Sequence, residues 1–265
     1  MISIDQRRAR FRELHQSGTF VMPNPYDIGS ARLLGALGFE ALATTSAGHA
    51  ATLGRLDMQV KRDELLQHVA VMTAAVSVPF NVDSERLFAE NLSGVAETVA
   101  ALAEAGAAGC SIEDWNPAQQ RIDGLDLAVS RVRAAADAAT TYSLLLTARC
   151  ENHLHGVKDL DDTIRRLCAY RDAGAAAVYA PGLVDLGEIE RVVTTVGIPL
   201  NVLLWGGGPT VAQLAGVGVR RVSVGSTLSS VAQGAVVRAA QQLLAEGAIS
   251  PLSVDGALLR KAFTA

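Results

Sequence analysis

Residues 108–114 read Ala-Gly-Cys-Ser-Ile-Glu-Asp, and residues 143–149 read Ser-Leu-Leu-Leu-Thr-Ala-Arg. Each is a short apolar run that ends in charge. Between them, Leu127–Ala139 carries small and apolar residues at helical spacing. A short run without polar alternation is the pattern of a strand buried on both faces, and two such strands joined by a helix make a parallel βα unit. The unit recurs along the chain. Candidate strands are Thr19–Met22, Glu40–Thr44, Pro79–Val82, Ala108–Ile112, Ser143–Ala148, Ala176–Tyr179, Pro199–Leu203 and Arg221–Val224. The helical patterns are Asp27–Leu37, Arg62–Val76, Leu92–Ala105, Leu127–Ala139, Leu160–Ala173, Leu186–Val196, Thr210–Val217 and Ser226–Glu246. Gly38, Gly106, Gly174 and Gly197 stand just beyond four of them, where a helix ends in a left-handed residue.

Eight such units allow a closed barrel or an open doubly wound sheet. No Gly-x-Gly-x-x-Gly follows the first strand, and strands recur every 25–35 residues or so, roughly one barrel unit each. Both points favour an α/β fold of the (β/α)8 TIM type. Further helices are expected at Asp5–Gln16 and Ser253–Phe263. The longest glycine run is Gly206-Gly207-Gly208, too short for a linker, so residues 1–265 are expected to form a single (β/α)8 barrel domain.

The composition narrows function. Hydrophobic residues make up 49% and the net charge is −4, which leaves no basic footprint for nucleic acid. No apolar run approaches the ~18 residues of a membrane span. Arg7, Arg8, Arg10 and Arg12 are not followed by the apolar core of a signal peptide. The three cysteines, Cys110, Cys150 and Cys168, form no CxxC pair, so neither a disulfide framework nor a zinc site is expected. A cytoplasmic protein without nucleic-acid or membrane partners is the reading.

In a barrel, chemistry belongs at the carboxyl ends of the strands. Polar residues collect there: Asn24-Pro25-Tyr26-Asp27, Thr44-Thr45-Ser46-Ala47-Gly48-His49, Asp83-Ser84-Glu85-Arg86, Glu113-Asp114-Trp115-Asn116 and Arg149-Cys150-Glu151-Asn152-His153. Asp83 and Glu85 are two apart, so on a strand both would face the mouth, with Glu113 on the neighbouring strand at a matching height. Converging carboxylates ask for a hard cation such as Mg²⁺. Arg149 can bind a carboxylate or phosphate in a fork, or pair with Glu151 or Glu113. Thr44–Gly48 offers hydroxyls and N–H groups to an anionic oxygen. His49, His153 and His155 read as hydrogen-bonding groups rather than ligands, and Cys150 as a packed thiol.

These residues resemble the isocitrate lyase/phosphoenolpyruvate mutase superfamily. The segments that carry the likeness are Asn24–Arg32, Ala43–Gly48, Val82–Glu85, Ser111–Asp114, Thr147–Arg149 and Pro181–Leu183, spread over about Phe11 to Leu244. The resemblance implies a homodimer or homotetramer that exchanges a C-terminal helix, Mg²⁺ as cofactor, and a small 2-oxo or 2-hydroxy carboxylic acid as substrate. It implies metal-site roles for Asp83, Glu85 and Glu113. Ser46, Ala47 and Gly48 would cradle the substrate, Arg149 would hold its carboxylate, Tyr26 and Asp57 would lie near the substrate and a metal water, and Asn201 would be a further contact. Arg149, Ser46 and Asp57 are the expected catalytic groups.

The loop after Glu113 departs from the family. Its lyases carry Lys-x-Cys-Gly there, and its mutases also use a lysine. This chain has Trp115-Asn116-Pro117-Ala118-Gln119-Gln120-Arg121-Ile122-Asp123-Gly124. That speaks against isocitrate or methylisocitrate cleavage. Carbon–carbon cleavage of an oxaloacetate-like acid, by decarboxylation or a retro-aldol step, needs less equipment and is the expected reaction. The alternatives are a phosphonomutase or phosphonopyruvate hydrolase-like enzyme, and a non-catalytic metabolite-binding protein. Gln120, Arg121 or His153 could contact the departing end of the substrate.

Overall fold

A computed structural model describes residues 2–250 and 254–264. The chain forms a (β/α)8 barrel. Its strands are β1 (Phe20–Met22), β2 (Leu42–Ala43), β3 (Phe80–Val82), β4 (Gly109–Glu113), β7 (Leu145–Arg149), β8 (Ala177–Tyr179), β9 (Leu200–Leu203) and β10 (Arg221–Ser223), with β5 (Trp115–Asn116) and β6 (Arg121–Ile122) set apart as a hairpin. The eight barrel strands run parallel in the order β1-β10-β9-β8-β7-β4-β3-β2. The seam between β2 and β1 is bridged by the Ala43 N–H, which donates to Pro23 O at 3.1 Å. All eight sequence-expected strands are present. They hold because Val, Leu, Ile and Ala runs can be covered on both faces, and β4 is buried at all five positions.

The helices are α1 (Ile4–Leu14), α2 (Ile28–Ala36), α3 (Ser46–Thr52), α4 (Arg62–Ala75), α5 (Leu92–Glu104), α6 (Leu125–Thr141), α7 (Leu160–Asp172), α8 (Leu186–Val196), α9 (Val211–Gly216), α10 (Thr227–Glu246) and α11 (Gly256–Phe263). In α5 the stripe Val95, Val99 and Leu102 is fully buried, as its spacing required. Each such residue contributes about 1.5–3 kcal/mol through burial. α8 ends at Gly197, whose φ of 71° is the left-handed conformation that glycine adopts without strain. α11 begins later than its pattern suggested, and Ser253 lies outside the described residues. It packs on α2 of the same chain, with Lys261 Nζ donating to Ala36 O at 2.5 Å. α3 and the β5–β6 hairpin carry no hydrophobic period, so neither was expected.

α1 closes the amino end of the barrel. Phe11, Leu14, Phe20, Ala108, Leu145 and Ala177 form one buried cluster under the strand starts. His15 caps α1 and is wedged edge-on between Phe11 and Phe20. Burial and the nearby Arg221 charge depress its pKa to about 3 from an ordinary 6.5. The unfolded chain therefore takes up this proton from pH 6.5 downward while the fold refuses it until about pH 3. Stability is complete above pH 6.5 and drains away as the pH falls toward 3, by on the order of 4 kcal/mol for this group. His15→Gln keeps a donor and an acceptor without the titration. Urea denaturation is expected to show a shallower acid limb for that variant than for the native protein; parallel limbs would remove His15 as the cause.

Candidate active site

A cavity of about 280 Å³ opens at the carboxyl ends of the strands. Arg149, the last residue of β7, is its organising charge. Its Nη1 donates to Asp83 Oδ1 at 2.6 Å and its Nε to Glu151 Oε1 at 2.8 Å, while Nη2 lies 3.3 Å from Glu113 Oε2. Its guanidinium also stands 5.2 Å from the centre of the Tyr179 ring. Burial alone would lower the Arg149 pKa, but Glu151, Glu113 and Asp83 more than offset it and hold it well above the ordinary value. The two sequence-level readings of Arg149 are thus compatible: it lines the cavity and it is ion-paired.

Asp83 is fixed from both sides. Its N–H donates to Thr44 Oγ1 at 2.8 Å, and its Oδ2 accepts the Ser46 N–H at 3.0 Å. The strand ends at Val82, so the alternation argument for Asp83 and Glu85 fails. Glu85 instead sits in a tight turn with φ of 48°, closed by the Leu87 N–H donating to Ser84 O at 2.8 Å. It still lies beside Asp83. Burial, then Asp83 and Asp57, push its carboxyl up to about 8. Glu113 is raised well above its ordinary value by burial despite Arg149. Glu151, buried as well, is raised for the same reason.

No group of three or more His, Cys, Asp or Glu side chains stands as a ready ligand cluster among the described residues. Arg149 separates Asp83 from Glu113. The donor set nonetheless fits a hard cation. Asp83, Glu85, Glu113 and Glu151 crowd a single guanidinium, the three glutamates with carboxyls raised chiefly by burial, and Asn81 Oδ1, on a residue that lines the cavity, is buried with no partner.

Ser46, Ala47, Asp57 and Asn201 line the cavity. The carboxyl of Asp57 is raised by burial and then by Asp83. Glu85, Glu113, Gly48 and Tyr26 do not line it. The Gly48 N–H caps α3 by donating to Thr45 Oγ1 at 3.2 Å, and a Cβ there would stand 2.4 Å from Thr45 Cγ2 and 3.2 Å from Tyr26 Cβ. Gly48 thus lets α3 pack on Tyr26. Tyr26 faces a separate cavity that also contains His49 and His68, whose rings stack 3.7 Å apart. Gln120 and Arg121 are exposed on the hairpin, and neither lines the site. Arg86, expected near the rim, is buried and pairs with Asp123 at 2.9 Å.

The sequence alone assigns no role to Thr147, Tyr179, Ser223 and Arg221, all on the cavity wall. A signal existed for each: a polar side chain inside an otherwise apolar strand.

A parallel barrel whose carboxyl rim holds an arginine, a carboxylate group and a small polar cavity defines an enzyme that handles a small anionic molecule. The phosphoenolpyruvate phosphomutase family model matches residues 11–244. The chain belongs to the phosphoenolpyruvate mutase/isocitrate lyase superfamily. It is 32% identical to an oxaloacetate decarboxylase of Paraburkholderia xenovorans, over 92% of this chain and 84% of that one. It is 31% identical to the 2-methylisocitrate lyase of Escherichia coli, over 65% and 61%. Among solved structures, a Burkholderia cenocepacia protein provisionally described as a lyase/mutase shares 47% identity and superposes with a TM-score of 0.94 over 99% of this chain and 97% of its own. No helix among the described residues is long and apolar enough to cross a membrane.

Proposed function

We propose that the protein is a Mg²⁺-dependent lyase that breaks a carbon–carbon bond in a small 2-oxo or 2-hydroxy acid of the oxaloacetate type. The observation that carries this reading is Arg149, presented into a 280 Å³ cavity and surrounded by carboxylates. Asp83, Glu85 and Glu113 would hold Mg²⁺. Bound there, the ion would act as a Lewis acid toward the substrate's oxygens. The Arg149 fork grips the substrate carboxylate and aligns the bond to be broken. Ser46 and Ala47 bound the substrate on the α3 side, and Asn201 donates to it from the opposite wall. Leu154 and Trp205 at the mouth limit water. Loss of CO₂ takes no proton from the substrate, so that step needs no base. The carbon left behind takes up one proton, which the Asp57 carboxyl at the cavity edge would give.

The likeness to an oxaloacetate decarboxylase along nearly the whole chain supports this reading. The absence of Lys and Cys from the loop after Glu113 supports decarboxylation over isocitrate-type cleavage. A homo-oligomer is part of the proposal, since α10 exposes Val231, Val236, Val237 and Leu244, an apolar face for a second copy.

Following oxaloacetate loss with Mg²⁺ and after chelation tests the proposal. Turnover that vanishes with chelator and returns with Mg²⁺ is expected. Conversion of phosphonopyruvate but not oxaloacetate, read by phosphorus NMR, would replace it with phosphorus–carbon chemistry. Asp83→Ala is expected to cut Mg²⁺-dependent turnover by more than about a hundredfold with the circular dichroism spectrum unchanged. A fully active variant would remove Asp83 from the metal site.

A further inference from the structure

The barrel interior is crossed by a polar path that runs from the candidate site to the amino end. Glu113 is level with Arg149 in the strand ladder, Arg149 with Tyr179, Tyr179 with Asn201, and Asn201 with Arg221. Barrel strands tilt by ~36° from the axis. A line at right angles to them therefore changes height as it goes round. This one starts at the strand ends, Glu113 and Arg149, and finishes at the first residue of β10, where Arg221 meets His15 of the amino-end plug.

Arg221 is 2% exposed and has no carboxylate partner among the described residues. Its Nε donates to Asn201 Oδ1 at 2.9 Å, its Nη2 to Thr147 Oγ1 at 2.9 Å, and its Nη1 meets His15 Nε2 at 3.2 Å. The direction of every bond is forced. The His15 Nδ1 lies 2.7 Å from Phe11 O, which can only accept, so Nδ1 carries the proton and Nε2 accepts from Arg221. A guanidinium only donates. Asn201 must therefore turn its oxygen toward Arg221 and its NH₂ away, where one N–H donates to Ser223 Oγ at 2.9 Å. The second N–H is left for the cavity, which Asn201 and Arg221 both line.

We propose that Arg221 is a positioning residue: it locks the Asn201 amide as a hydrogen-bond donor toward an anionic oxygen of the substrate, and the α1 plug holds Arg221 through His15. A flipped Asn201 would aim a carbonyl at that anion instead. The proposal rests on the lyase reading only for the identity of the acid. Its own content is that the site binds an anion through a donor set by Arg221.

Oxalate binding by calorimetry in the presence of Mg²⁺ reads this without turnover. Arg221→Lys keeps the charge and loses the fork. Its oxalate Kd is expected to rise about ten- to a hundredfold, the loss of one charge-assisted hydrogen bond. In a turnover assay KM should rise far more than kcat falls. Asn201→Asp would pair with Arg221, keep or raise Tm, and still lose oxalate affinity by a similar factor, which a merely structural role would not produce. Unchanged oxalate affinity in either variant overturns the proposal. If Arg221→Lys does not fold, His15→Phe takes its place: it removes the acceptor, should raise the oxalate Kd about threefold, and refutes the proposal if Kd is unchanged. Oxalate binding without oxaloacetate turnover removes the lyase reading and leaves this one standing. A native protein that binds no oxalate in the presence of Mg²⁺ overturns the proposal as well.

Discussion

Arg149→Met is expected to abolish turnover and to make the stability of the protein depend steeply on pH. The side chain is 13% exposed and faces Asp83, Glu113 and Glu151, the last two almost wholly buried. Removing the cation leaves these acids together in a poorly solvated site. Breaking a buried pair from one side costs about 3–5 kcal/mol, because the remaining charge is uncompensated. Glu113 and Glu151 already have carboxyls raised above the ordinary 4.5 by burial. Without Arg149 they rise further. An acid with a raised folded pKa keeps its proton in the fold at a pH where the unfolded chain has lost it. Its stabilising contribution is therefore present below the ordinary value and lost as the pH rises through the folded value. The variant should resist urea best near pH 5 and worst near pH 8. Arg149→Lys should recover much of the stability but little activity, since an ammonium cannot grip a carboxylate in a fork. A methionine variant with kcat/KM within threefold of native would reduce Arg149 to a structural ion pair.

Asp123→Ala is expected to cost a further 3–5 kcal/mol or so at a place that touches no substrate. Asp123 and Arg86 are paired at 2.9 Å with side-chain exposures of 1% and 6%. The other acid near Arg86, Glu90, is 77% exposed and screened by water. Arg131 Nη2 donates to Arg86 O at 2.6 Å, so the Glu85 turn is tied to α6 as well. Asp123 also pins the hairpin: its N–H donates to Asp114 O at 2.7 Å, and Arg166 Nη1 donates to Asp123 O at 3.0 Å. The aspartate thus joins the loop after Glu113 to the turn that holds Glu85. Its loss should weaken Mg²⁺ binding along with stability. Chemical denaturation checks the cost. The double variant Arg86→Met/Asp123→Leu should recover most of it, because an apolar pair leaves no orphan charge. A single variant as stable as the native protein would mean that solvent or Glu90 replaces Asp123.

The strands were legible because burial on both faces leaves a direct mark on sequence: Leu144-Leu145-Leu146 and Ala108–Ile112 can be little else. The rim was legible for the same reason, since charge at the end of an apolar run has only the strand end to occupy. Glu85 shows where that logic stops. Two residues past Asp83 it should have shared the strand's face, but the strand had already ended and a left-handed turn carries it. Tyr26 and Gly48, neighbours in the motif, serve the packing of α3 beside another cavity. Short elements such as α3 and the β5–β6 hairpin have no period to read.

By itself the sequence determined the run of eight βα units and put Asp83, Glu113 and Arg149 at or just beyond strand ends, because hydrophobic patterning and chain order suffice for those. Only the tertiary structure decided that Arg149 stands among Asp83, Glu113 and Glu151, and that Arg221 lies beneath Asn201 at the opposite end of the barrel. Both depend on the tilt and register of strands far apart in the chain, and no local pattern encodes the height at which one strand passes another.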